Sequence, residues 1–142
     1  MFFDDLRSYK EELAKRGWLT KVDGADCELE IGTLTELMAE AAIDGKANGP
    51  LLFDNIKGYP QGFQLLTNCF VTPKLQKLAF GDPEDASNTD IIKLWRDKLT
   101  NYKPVPPKEV KSGFVTENVL AGEQVDLSIF PAPRWHEKDG GR

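Results

Sequence analysis

At 142 residues the chain can hold one domain with a real core but not two full ones. Its 40% hydrophobic and 29% charged residues are those of an ordinary globular protein, and no run approaches the ~20 apolar residues that a membrane-spanning helix requires. The net charge is −5, and residues 23–44 carry seven acids (Asp23, Asp26, Glu28, Glu30, Glu36, Glu40, Asp44) and no base, so a phosphate backbone would be repelled and nucleic acid is not an expected partner.

The opening Met1-Phe2-Phe3-Asp4-Asp5 sets acids directly after two aromatics and lacks the basic and apolar regions of an export signal, so a cytoplasmic, non-membrane protein is expected. Asp4 or Asp5 caps a first helix in which Leu6, Tyr9, Leu13 and Ala14 recur at helical spacing, and Gly17 supplies its stop. Trp18 to Val22 reads as a short strand. Asp26 is expected to cap a second helix burying Leu29, Leu34, Leu37, Met38, Ala41 and Ala42, with the acids on its solvated side. Leu51-Leu52-Phe53 is a brief apolar run between turn signals, as in a buried strand, and Phe63 to Asn68 returns after the turn at Asn55 to Pro60. Thr72-Pro73 opens a short helix with Leu75, Leu78 and Ala79 on one face, closed by Gly81.

Asp82 to Thr89 is a polar loop. Asp90 is expected to open a further helix with Ile91, Leu94, Trp95 and Leu99 inward. Pro104, Pro106 and Pro107 then make a stiff break. Beyond it Phe114 to Val119 and Val125 to Ile129 read as strands. The fold expected is therefore α/β (α+β), a small mixed sheet with flanking helices over residues 1–103, followed over 104–142 by a proline-rich linker and the opening of a β-rich region.

No glycine-rich phosphate loop and no nucleophile elbow occur. Cys27 and Cys69 are expected to be reduced, and a single histidine makes a structural zinc site improbable. Glu11-Glu12 reads as helix solvation. Trp18 and Trp95 fall on apolar faces as core residues. The end of the chain is chemically the richest part: Phe130-Pro131-Ala132-Pro133-Arg134-Trp135-His136-Glu137-Lys138-Asp139-Gly140-Gly141-Arg142 contains the sole histidine beside a tryptophan, with carboxylates and a glycine pair that usually introduces a strand or a close backbone approach. Trp135 fits a pocket wall or interface as well as a core. His136 with Glu137 or Asp139 is either an oriented base or a loop ion pair.

Several phrases, in order, resemble the N-terminal portion of the UbiD family of non-oxidative decarboxylases. They are Asp5-Leu6-Arg7, Arg16-Gly17-Trp18-Leu19, Gly49-Pro50-Leu51-Leu52-Phe53-Asp54-Asn55-Ile56-Lys57-Gly58-Tyr59, and Val125-Asp126-Leu127 running into Phe130 to His136 and Asp139-Gly140-Gly141. The eleven-residue phrase from Gly49 is the most specific. The resemblance implies an enzyme that removes carbon dioxide from aromatic or α,β-unsaturated (acrylic) carboxylic acids, reversibly in some members, using prenylated FMN with a divalent metal such as Mn2+ and a potassium ion. It implies that the flavin occupies a split β-barrel whose first strands begin in 104–142, and that the whole enzyme is a homo-oligomer.

The family's catalytic Glu-Arg-Glu set and its Asn, His and Glu metal ligands lie after the Asp-Gly-Gly phrase. This chain is accordingly expected to carry no catalytic, cofactor-binding or metal-binding residue, and to be a folding and assembly unit of a longer parent. Trp135, His136 and Asp139 are expected to brace the entrance to the barrel. The competing readings are a free-standing protein-interaction module of the same fold, and a small enzyme using His136 with Asp139.

Overall fold

The computed structural model describes residues 3–139, which form two compact units. One runs to Ala86 and resumes at Ser128; the other is Ser87–Leu127.

In the first unit, α1 (Leu6–Lys15) starts at Asp5, whose carboxylate accepts from the Ser8 amide at 2.8 Å while the Ser8 hydroxyl faces the Asp5 amide, a reciprocal cap that satisfies two otherwise orphaned donors. β1 (Thr20–Asp23) leads through α2 (Glu30–Ile43) to β2 (Leu51–Asp54), which lies parallel to β1 because the helical crossover returns the chain to the same end of the sheet. β3 (Leu65–Thr67) pairs antiparallel with β2, giving the order β1-β2-β3. Thr72 caps α3 (Pro73–Phe80), and Gly81 ends it in the left-handed region at φ 67°.

Alternation along β2 sorts its side chains between the two faces of the sheet. Leu51 and Phe53 enter a core with Ala25, Cys27, Ile31 and Ile56, and Leu34 and Met38 of α2 pack against it. A second core joins Tyr9 and Leu13 of α1 to Leu75 and Leu78 of α3, with Trp18, Leu19 and Val71 at its margin. The tyrosine ring is buried, and its hydroxyl donates to the Cys69 carbonyl at 2.8 Å. Burial, with the neighbouring Cys69 adding to it, pushes the Tyr9 phenol up to about 12.

The helices and strands expected up to Gly81 are present, with four local corrections. Asp26 does not cap α2. Its carboxylate accepts from the Glu28 amide at 2.9 Å, and the helix begins after Leu29, which takes φ 66° and has no side-chain cap. The buried stripe of α2 is Ile31, Gly32, Thr35 and Ala42, whereas Leu37 is exposed; the stripe is displaced because Thr35 satisfies its hydroxyl internally, on the Ile31 carbonyl and near the Thr67 hydroxyl. Trp18 is a half-buried platform rather than a core residue, with the Lys74 ammonium 3.5 Å and the Arg16 guanidinium 5.0 Å from its ring centre. Glu12 also does more than solvate a helix face, since it pairs with Arg16 at 2.7 Å.

In the second unit, α4 (Asn88–Thr100) is capped by Ser87, not Asp90; the Ser87 hydroxyl accepts from the Asp90 amide at 3.2 Å and donates to the Asp90 carboxylate at 2.6 Å. Leu99, expected inward, is exposed, and no residue of α4 is buried. The strands expected at Phe114 to Val119 and Val125 to Ile129 are absent. Short 3-10 turns occupy Phe114–Thr116, Gly122–Gln124 and Leu127–Ile129 instead. Strands need partners for their backbone groups, and the described residues offer none here. The segment leaves large apolar side chains in solvent, among them Val105 at 87% and Phe114 at 83% exposure. Among the described residues no helix is long and apolar enough to cross a membrane.

Candidate functional site

The tail folds back on the start of α2. The Arg134 amide donates to the Cys27 carbonyl at 2.9 Å and the Leu29 amide donates to the Arg134 carbonyl at 3.1 Å, forming an isolated parallel bridge between Glu28 and Arg134. The positive φ of Leu29 makes this possible, because it turns an amide that no side chain caps toward the incoming strand. Arg134 then clamps the junction, with its guanidinium on the Glu28 carboxylate and the Glu137 carbonyl.

One residue further, the tail backbone crosses α2 at Gly32. A Cβ added there would lie 2.7 Å from the Trp135 Cα and 3.1 Å from its carbonyl oxygen, so this helix position admits only glycine at the observed separation. Trp135, 36% exposed, stands against Leu29 and Thr33 and with His136, Glu137 and Lys138 walls a shallow depression of about 380 Å³.

The three residues singled out in the tail are brought together. Asp139 accepts from the Trp135 amide at 2.8 Å and the His136 amide at 3.1 Å through one carboxylate oxygen, closing a tight turn. These bonds, that of the His136 amide foremost, hold the Asp139 carboxyl below the usual aspartate range. His136 Nε2 meets a Glu36 carboxylate oxygen at 2.8 Å, and Nδ1 stands 3.9 Å from the other Asp139 oxygen, too far for a hydrogen bond. The trio thus fastens a turn against α2, with His136 reaching Glu36 on that helix. The Gly140-Gly141 pair, expected to introduce a further strand, lies outside the described residues.

Glu28, Gly32 and Glu36 belong to this junction without having stood out in the sequence. A glycine inside a strongly helical pattern was the available signal, since it weakens a helix by ~1 kcal/mol and calls for a packing reason. The acidic stretch held the other signal. Two of its seven acids, Glu28 and Glu36, face the Arg134 and His136 of the tail rather than bulk solvent alone.

No three His, Cys, Asp or Glu side chains among the described residues converge as a metal site requires. Cys27 is buried and Cys69 half-buried, and no disulfide joins them.

A family model described as the 3-octaprenyl-4-hydroxybenzoate carboxy-lyase N-terminal domain matches residues 10–95. The chain belongs to the UbiD family. It is 35% identical to a pyrrole-2-carboxylic acid decarboxylase of Pseudomonas aeruginosa over 97% of its own length and 28% of that protein's. It is 30% identical to a phenolic acid decarboxylase of a Streptomyces species, over 99% of this chain and 29% of that protein. The vanillic acid decarboxylase of Sedimentibacter hydroxybenzoicus in its closed form superposes with a TM-score of 0.79 at 28% identity, covering 98% of this chain and 29% of that one. The chain thus spans under a third of the length of the UbiD-family relatives it matches. The superposition takes in the docked tail as well as the α/β unit, since all but a fiftieth of the chain is covered.

Proposed function

We propose that this chain is the N-terminal, non-catalytic portion of a UbiD-like decarboxylase that removes carbon dioxide from an aromatic or α,β-unsaturated carboxylic acid, reversibly, with prenylated FMN. The observation that carries the reading is the end-to-end match to decarboxylases more than three times longer, at 35% identity for one that acts on pyrrole-2-carboxylic acid. The flavin would supply the electron sink for loss of carbon dioxide, and parts of the parent beyond this chain would hold it with Mn2+ and potassium.

In this reading residues 1–103 form the α/β domain and 104–142 lead into the split barrel. The chain's own residues fold and assemble. Arg134, Trp135, His136 and Asp139 fasten the barrel's leading segment to α2, so that the barrel begins from a fixed point. The apolar side chains exposed along 105–127 favour a surface that the remainder of the parent, or another copy in a homo-oligomer, covers. A cytoplasmic location fits the reduced thiols that the reading requires.

The test is the parent enzyme purified from cells that make prenylated FMN, supplied with Mn2+ and potassium, and assayed for carbon dioxide release from pyrrole, hydroxybenzoic and acrylic acids. Turnover of one of these is expected. A flavin-loaded parent that released carbon dioxide from none of the panel would remove the proposal.

A further inference from the structure

The charge of the chain is divided between two stretches. Residues 23–44 carry seven acids and no base, whereas residues 93–111 carry six bases against two acids, Asp97 and Glu109, a net of +4 in a chain of net −5. Each stretch contains an exposed helix face on which apolar side chains surround a charge.

On α4, Ile92, Arg96 and Leu99 share one face at helical spacing, and Ile92 and Leu99 are 69% and 68% exposed. The Arg96 guanidinium donates through Nε and Nη2 to its sequence neighbour Asp97, which leaves Nη1 for a further acceptor. Both side chains of that pair are mostly in solvent, so it holds Arg96 only weakly. On α2 the corresponding face is Leu37, Glu40 and Ile43, with Leu37 and Ile43 58% and 70% exposed. Of the acids beside them, Glu36 is taken by His136 and Asp44 by Lys46. The Glu40 carboxylate is unpaired among the described residues.

The two faces match in kind and oppose in sign: an apolar pair around a cation, and an apolar pair around an anion. Burying one against the other would cover exposed apolar surface and give both charges a partner. Every copy of the chain carries both faces, so the contact made twice about a two-fold axis closes a dimer and leaves neither face over.

We propose that α4 of one copy docks on the exposed face of α2 of a second copy, reciprocally, with Arg96 on the partner's Glu40 and Ile92 and Leu99 against the partner's Leu37 and Ile43. The contact names surfaces for the oligomer and requires nothing of the decarboxylase chemistry. A monomeric chain would remove it and leave the carbon dioxide assay untouched, and an inactive parent would leave it standing.

Sedimentation equilibrium of the 142-residue chain should show a monomer–dimer equilibrium with a Kd of order 10–100 µM, as suits a small interface, weakening as salt rises. Arg96→Glu and Glu40→Arg should each weaken it about tenfold, and the double variant should recover the original affinity because the exchanged charges attract again. A carbodiimide, which joins carboxylates directly to lysines, should link Glu40 to Lys93 between light and isotope-labelled copies in a mixture of the two. A chain still monomeric at about 1 mM, a double variant no tighter than either single one, or Glu40 crosslinks confined to one copy would overturn the contact. Lys93 crosslinked in the parent to residues beyond Arg142 would assign the α4 face to the remainder of the parent, and would overturn it too.

Discussion

Gly32→Ala probes the tail junction through two effects of opposite sign. Alanine is the better helix former and should strengthen isolated α2 by ~1 kcal/mol. The new Cβ, however, would meet the Trp135 Cα at 2.7 Å, and a backbone atom has no rotamer by which to escape. The tail must lift, and the two hydrogen bonds that join Arg134 to Cys27 and Leu29 go with it. At ~0.5–1.5 kcal/mol each, with the exposed Glu28 and Glu36 pairs adding little, docking should weaken by about 2 kcal/mol. Native-state hydrogen exchange reads both effects. Protection of the Leu29 and Arg134 amides should fall about thirtyfold, since every ~1.4 kcal/mol is a factor of ten, while amides in the middle of α2 hold or gain protection. Unchanged protection at Leu29 and Arg134 in a folded variant would refute the close approach.

Phe53 is fully buried between the sheet and α2, so Phe53→Ala should cost about 3–5 kcal/mol in denaturant unfolding. Tyr9→Phe should cost about 1 kcal/mol through the lost bond to Cys69. Because the folded phenol is raised to about 12 from 10.0, its contribution is present below pH 10 and is lost as the pH rises toward 12; that alkaline loss of stability should be smaller in Tyr9→Phe. Asp139 has the opposite sign. Its lowered value means that its contribution is present above 3.8 and is lost as the pH falls through the folded value, so the Trp135 and His136 amide resonances should titrate with a midpoint below 3.8. In the parent enzyme His136→Gln should leave the pH profile of turnover unaltered, as glutamine still donates to Glu36 but cannot titrate; loss of one limb with flavin content intact would make His136 a catalytic group.

The α/β unit was legible because its signals are local. Asp5, Thr72-Pro73 and Gly81 act within one turn of where they stand, and the apolar run at Leu51 to Phe53 needs only its neighbours to be read as a buried strand. What was not legible depends on partners far away in sequence. Glu28 and Arg134 are 106 positions apart, so nothing near Asp26 announces that the helix start will be drawn out to meet a tail. Leu29 at positive φ is strain that only this long-range pairing explains. The apolar pattern of 114–129 reads as strand, but among the described residues no strand stands beside it, and the backbone settles into single turns. The tail trio lay between the two forms: its residues stood out by type, while their mutual geometry and the role of Glu36 required the fold.

The claim that this chain assembles the enzyme, rather than performing its chemistry, is tested most directly by its own capacity for flavin. The purified 142-residue chain would be mixed with reduced prenylated FMN, Mn2+ and potassium, desalted, and its absorbance recorded beside that of the parent treated identically. The account predicts a colourless chain and a flavin-bearing parent. Flavin retained by the chain in proportion to protein would contradict it.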